Sequence, residues 1–138
     1  MWNRYTMKIL KYACPPILVA AIIFYLCCLI TPDDIPDASW PYTDKVVHFL
    51  MYFGLSGVAS FGYIYGEKGR IIILKLIVFA ILLPIIYGGL IEIIQEYYFE
   101  GRGGDWFDFL ADALGSLTIL PLALYFRRLL INSQSESE

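Results

Sequence analysis

The chain has 138 residues, a net charge of −3 and a skewed balance of residue types: 59 % belong to the AVILMFWYC set and 17 % are charged. Soluble domains carry roughly 45–50 % apolar residues, glycine included, and about 25 % charged ones, and a domain this small leaves too much surface exposed to hide the excess from water. The composition argues against a cytosolic enzyme, a disordered chain or a nucleic-acid-binding module, which needs a basic surface, and for a chain dissolved in a bilayer.

Four helices are predicted in chain order. Positions 12–32 and 46–66 hold no Asp, Glu, Lys or Arg, and each run of 21 residues is enough to cross a hydrocarbon core of about 30 Å at 1.5 Å per residue. The first helix, about 12–31, opens on Pro15 and Pro16, which a first turn tolerates because its N–H groups lack partners anyway. It stops at Thr31-Pro32-Asp33-Asp34. Its length and the lack of an A-x-A site mark it as a retained helix rather than a signal peptide. Cys14, Cys27 and Cys28 within it read as small apolar residues, with no disulfide framework or zinc spacing. A proline-stiffened loop, with Trp40 and Tyr42 as interfacial anchors, leads to the second helix, about 45–65. That helix ends in the turn Gly66-Glu67-Lys68-Gly69-Arg70.

The next two charge-free runs, 76–91 and 113–126, hold 16 and 14 residues and are too short to cross. The third helix must therefore cover about 71–96 and the fourth about 106–127, which draws Glu92, Asp108 and Asp112 into the membrane or to its edge. Pro84 and Gly88-Gly89 predict a kink and a close contact in the third helix. Asp105 is placed to cap the fourth, with Asp108 at its third position. Residues 132–138, rich in Ser and Glu, read as a disordered tail. Short connections join the helices into a single all-α domain over residues 1–131, an antiparallel four-helix membrane bundle. Eight of the ten basic residues fall on one side, with only Lys45 and Arg102 on the other. The positive-inside rule then sets both termini in the cytoplasm and a strongly acidic face outside the cell membrane.

Along the outer ends, polar and small residues recur at helical spacing: Asp44 and His48, then Gly88, Glu92 and Gln95, then Asp105, Asp108, Asp112 and Gly115. Residues three and four apart share a helix face, and His48, Glu92 and Asp112 stand roughly 22–29 Å from the inner edge. A charge at a helix centre costs about 2.5–3.5 kcal/mol on insertion scales, so such groups turn into the bundle and find partners. One polar pocket open to the outside is the simplest arrangement.

Acids crowded into such a pocket need a shared proton, the Arg102 guanidinium or a bound divalent cation. His48, the only histidine, reads as a structural hydrogen-bond partner or as a general base or metal ligand. Glu92 and Gln95 read as an interhelical clamp, or as a proton-transferring carboxylate and an amide that orients it. Arg102 pairs with the acids or clamps a phosphate, and Gly101, Gly103 and Gly104 let backbone amides approach an anion. Asp108, Asp112 and Glu92, with His48 as a fourth donor, form a set whose hardness suits Mg²⁺ or Mn²⁺.

These residues resemble the VanZ-like membrane proteins. The likeness is carried by Asp44-Lys45-x-x-His48-Phe49, by Gly88-x-x-x-Glu92-x-x-Gln95, and by Arg102 with Asp108, position 112 and Gly115, spanning roughly residues 40–120. Asp112 departs from the pattern, since the family usually has Asn there. The resemblance implies a small multipass protein, some relatives of which are linked to teicoplanin resistance, and it brings no established reaction. The leading expectation is an enzyme acting on the polar head of an envelope lipid, such as a polyprenyl-phosphate carrier intermediate. In it Glu92 or His48 moves a proton with Gln95 orienting, Asp44, Lys45 and Arg102 hold the substrate, and Asp108 and Asp112 hold a metal or polarise the base. The alternatives are a non-catalytic protein that binds a lipid or lipidated antibiotic, and, less favoured, a small proton-coupled transporter, for which no complete path is visible because the polar groups cluster on one side.

Overall fold

The computed structural model describes residues 3–30, 41–101 and 103–137. The expected helix stop at 31–34, the anchor Trp40 and the phosphate clamp Arg102 lie outside the described residues. Helix α1, Arg4–Phe24, runs on through a widened π-helical turn, Tyr25–Leu29. Helix α2 is Thr43–Gly66, and α3 is Ile73–Tyr98 with a second widened stretch at Ile77–Leu82. Helix α4 is Trp106–Ser135. No strand occurs among the described residues.

Each of the four helices contains a stretch long and apolar enough to cross a membrane. Their outward faces agree with that solvent. On α3, Phe79, Leu83, Ile86, Leu90 and Ile93 recur every three or four residues and are all exposed. Such a face is costly in water and matched in lipid, where the helix satisfies its own backbone. The chain is thus built as a multi-pass membrane protein.

Two expectations about helix ends are corrected. Helix α1 begins at Arg4, so Pro15 and Pro16 fall in its interior instead of its first turn. The eight residues before position 12 continue the helix, although three of them are basic. Helix α4 continues through Ser135, past the point where a disordered tail was expected. There the Ser133 and Ser135 hydroxyls donate to the carbonyls of Leu130 and Asn132 at 2.9 and 2.7 Å, so polar side chains bond to the backbone of the last turns. In α3 the disturbance expected at Pro84 takes the form of the widened stretch Ile77–Leu82 just before it. Proline has no N–H for the carbonyl four residues back, and a π-helical insertion changes the register of hydrogen bonding.

Helices in lipid gain little from burying leucine, because acyl chains are equally apolar. Close approach through small residues matters more. The most extensive contact is between α2 and α4, and Gly115 explains it. A Cβ at Gly115 would overlap the Phe49 carbonyl oxygen and lie 3.0 Å from the Phe53 nitrogen. Around this seam Ile64, Leu76, Ala80, Ile81, Ile119 and Ala123 form one buried apolar cluster. A second, of Ile23, Cys27, Cys28, Tyr52, Leu55 and Ile91, joins α1 to α2 and α3. At the Glu67 end, Lys8 Nζ and the Tyr12 hydroxyl donate to one Glu67 oxygen at 3.0 and 2.8 Å, tying α1 to the end of α2.

Candidate functional site

The polar residues collect where the start of α2, the end of α3 and the start of α4 meet. His48 lies one turn into α2, and its Nδ1 stands 3.0 Å from Asp112 Oδ1 on α4. The same nitrogen is 3.8 Å from Glu92 Oε1 on α3. All three residues are buried: Asp112 is 0 % exposed, Glu92 8 % and His48 9 %. In the neutral tautomer that donates from Nδ1 to Asp112, Nε2 keeps its lone pair, the form that serves as a base or a ligand.

Small residues make the space. Gly88 stands against Asp112, and a Cβ there would come within 2.8 Å of Asp112 Oδ2. Backbone amides then fix the end of α3. Asp105 N donates to Glu92 Oε2 and Gly104 N donates to Glu96 Oε2, both at 2.8 Å. The glycine-rich loop therefore directs amides onto the protein's own carboxylates, where the sequence had suggested an external anion. Asp105 also caps α4, its Oδ1 accepting from Phe107 N at 2.8 Å.

Above this buried layer sits a second one, organised by Lys45. Its ammonium lies 2.9 Å from Asp105 Oδ2, 2.9 Å from Asp108 Oδ1 and 3.0 Å from Asp44 Oδ2. The Lys45 ammonium and the Phe107 amide hold the Asp105 carboxyl below its usual range. Lysine is thus a counter-charge for the acids, a role the sequence had assigned to a proton, Arg102 or a metal.

The sequence-predicted residues divide as follows. His48, Glu92, Asp108 and Asp112 come together from three helices, and Asp44 and Lys45 cover them. Gln95 does not join them: its Nε2 donates to the Cys27 carbonyl at 2.8 Å and joins α3 to α1, so it is an interhelical clamp. Of the proposed metal set, Glu92 and Asp108 share with His48 a group of donor atoms all within 4.8 Å of one another. Asp112 is placed instead against the His48 ring.

A line of hydroxyls escaped the sequence reading. Tyr52, Ser56 and Ser60 follow His48 at steps of four along α2, and Ser116 follows Asp112 by four along α4. Their oxygens are buried without a hydrogen-bond partner among the described residues, as are Glu92 Oε1 and Asp112 Oδ2. The signal was the four-residue step, which continues the His48 and Asp112 faces inward.

An apolar groove of about 700 Å³ opens between α1 and α3. Its walls include Pro16, Ala20, Phe79, Leu83, Tyr87 and Leu90, with Lys75 at one extreme. The Tyr87 hydroxyl donates to the Ala20 carbonyl at 2.7 Å across it. Comparison of the chain with protein-family models, with curated proteins and with solved structures finds no match.

Proposed function

We propose that the chain is a VanZ-like multipass protein of the cell membrane that acts on the head group of an envelope lipid or lipid-linked carrier, with a link to teicoplanin resistance. In this reading the helices run antiparallel, both termini are cytoplasmic and the His48 cluster faces the outside. The observation that carries it is the buried His48 ring held between Asp112 and Glu92 Oε1, at 3.0 and 3.8 Å, with no hydrogen bond to that Glu92 oxygen among the described residues. Glu92 or the His48 ring moves a proton at the head group, and Asp112 fixes the ring tautomer. The groove takes one hydrocarbon chain of the same lipid. It follows α3 from Lys75 to Leu90, about 22 Å of apolar wall, and ends two residues before Glu92.

The test is binding and turnover of polyprenyl-phosphate and phospholipid substrates by purified protein in nanodiscs. Glu92→Gln and His48→Asn should each lower turnover about 10²–10⁴-fold, the usual weight of a general acid or base. Absence of lipid-phosphate binding and turnover, together with wild-type behaviour of Glu92→Gln in cells, would sink the reading.

A proton-coupled transporter is the second reading, favoured by the hydroxyl line. From His48 to Ser60 it follows α2 for twelve residues, about 18 Å, and so supplies polar oxygens where charges are lacking. Proteoliposomes in which Ser56→Ala with Ser60→Ala leaves proton flux unchanged, or which show no flux, would eliminate it.

A further inference from the structure

We infer that His48, Glu92 and Asp108 form a divalent cation site of the Mn²⁺ class, with Asp112 as a positioning residue for the imidazole. The inference deepens the lipid head-group reading and rests on it for its purpose, though not for its geometry. Three helices each supply one donor, and the donor atoms lie within 4.8 Å of one another. One imidazole nitrogen and two carboxylate oxygens are a mixed donor set, harder than a zinc thiolate site and softer than an all-oxygen magnesium site.

The surroundings match a ligand set held in place. Glu92 has one oxygen engaged by the Asp105 amide at 2.8 Å, which orients the carboxylate. Its other oxygen, Oε1, is buried and has no hydrogen-bond partner among the described residues. The His48 ring is held by Asp112 through Nδ1 at 3.0 Å. A ligating histidine commonly gives its other N–H to a carboxylate, which fixes the ring and raises its basicity.

A neighbouring acidic group acts as an internal comparison. Asp44, Asp105 and Asp108 also bring donor atoms within 4.8 Å of one another. There the Lys45 ammonium already sits among them at 2.9–3.0 Å. That group has its cation. No hydrogen bond joins Lys45 to Glu92 among the described residues, and Glu92 Oε1 stands 3.8 Å from the His48 ring, beyond hydrogen-bond reach.

Charge supplies the purpose. Among the described residues, five acids, Asp44, Glu92, Asp105, Asp108 and Asp112, face Lys45 and His48, and Lys45 is engaged by three of them. A phosphate approaching that field is repelled unless a cation bridges it. With the ion bound, Glu92 and His48 serve as ligands and the proton transfer passes to a metal-bound water. Three protein donors leave open positions on the ion for that water and for a phosphate oxygen, whose charge the ion stabilises.

The experiment is titration of Mn²⁺ into maltoside-solubilised protein, with free Mn²⁺ followed by electron paramagnetic resonance and no lipid substrate added. One ion per chain is expected, with at least tenfold weaker binding in Glu92→Gln and in Asp108→Asn. Glu67→Gln, at the opposite end of α2, should stay within about twofold of wild type, and all variants are compared at equal helicity. No saturable binding, or binding undiminished in both Glu92→Gln and Asp108→Asn, overturns the site. Lipid turnover that survives exhaustive chelation overturns the site and leaves the head-group reading standing. Stoichiometric Mn²⁺ with no lipid turnover does the reverse.

Discussion

Asp112 and His48 face each other across the α2–α4 seam with Nδ1 and Oδ1 3.0 Å apart, and neither residue has appreciable contact with solvent. Their partnership is testable by a double-mutant cycle. Asp112→Asn and His48→Asn should each lower stability by about 1.5–3 kcal/mol, the range for hydrogen bonds to charged groups. The double variant should cost clearly less than the sum. Reversible unfolding in mixed micelles measures it, and strict additivity would mean that the pair is not coupled.

Gly115 is the tightest point of that seam. A Cβ there overlaps the Phe49 carbonyl, which is backbone and cannot rotate away. Gly115→Ala should destabilise by about 1–3 kcal/mol, the usual cost of overpacking. Gly57→Ala is the control: its nearest neighbour is the movable Ile119 Cδ1 at 3.4 Å. Equal melting temperatures for the two variants would refute the close approach.

Helix α1 is attached by few bonds, among them Gln95 to the Cys27 carbonyl at 2.8 Å and Tyr87 to the Ala20 carbonyl at 2.7 Å. Gln95→Leu with Tyr87→Phe should expose the Cys27 and Cys28 thiols, which are buried, while Cys14 is already exposed. In maleimide labelling the Cys27 and Cys28 rates should rise several-fold and the Cys14 rate should hold. Unchanged protection would show that these two bonds do not hold α1 in place.

Glu67, just beyond α2, accepts from Lys8 and Tyr12, and these bonds hold its carboxyl below the ordinary value of 4.5. A carboxyl lowered in the folded state contributes stability above its unfolded value. That contribution is lost as pH falls through the lower folded value. The melting difference between wild type and Glu67→Gln should be present at pH 7 and shrink below about pH 4.5. A difference that persists undiminished at pH 3 would contradict the latch.

Helix number and approximate placement were legible because charges are expensive in hydrocarbon, and a gap between charges measures the span directly. The same rule pulled Glu92, Asp108 and Asp112 toward a shared pocket. Helix ends were less legible: lipid stops favouring helix at the interface, but nothing there stops the helix, so α1 begins at Arg4 and α4 runs to Ser135. The partners of Lys45 and Gln95 were out of reach. Spacing states which face a residue occupies, whereas the choice of Asp105 and Asp108 for Lys45, or Cys27 for Gln95, depends on how three helices rotate against one another. Spacing does not single out Ser56 and Ser60, since a serine step of four marks close helix packing as readily as a polar track.

The overlap at Gly115 has a mechanical consequence. Two backbones already in contact leave α2 and α4 no room to close further or to slide past each other, so His48 and Asp112 are carried on a stiff seam. The hydropathic stretch of α1 is only 17 % buried, the least of the four. The α1 wall of the groove is therefore the one held by the least burial, and the α2–α4 seam is the part of the bundle least able to move.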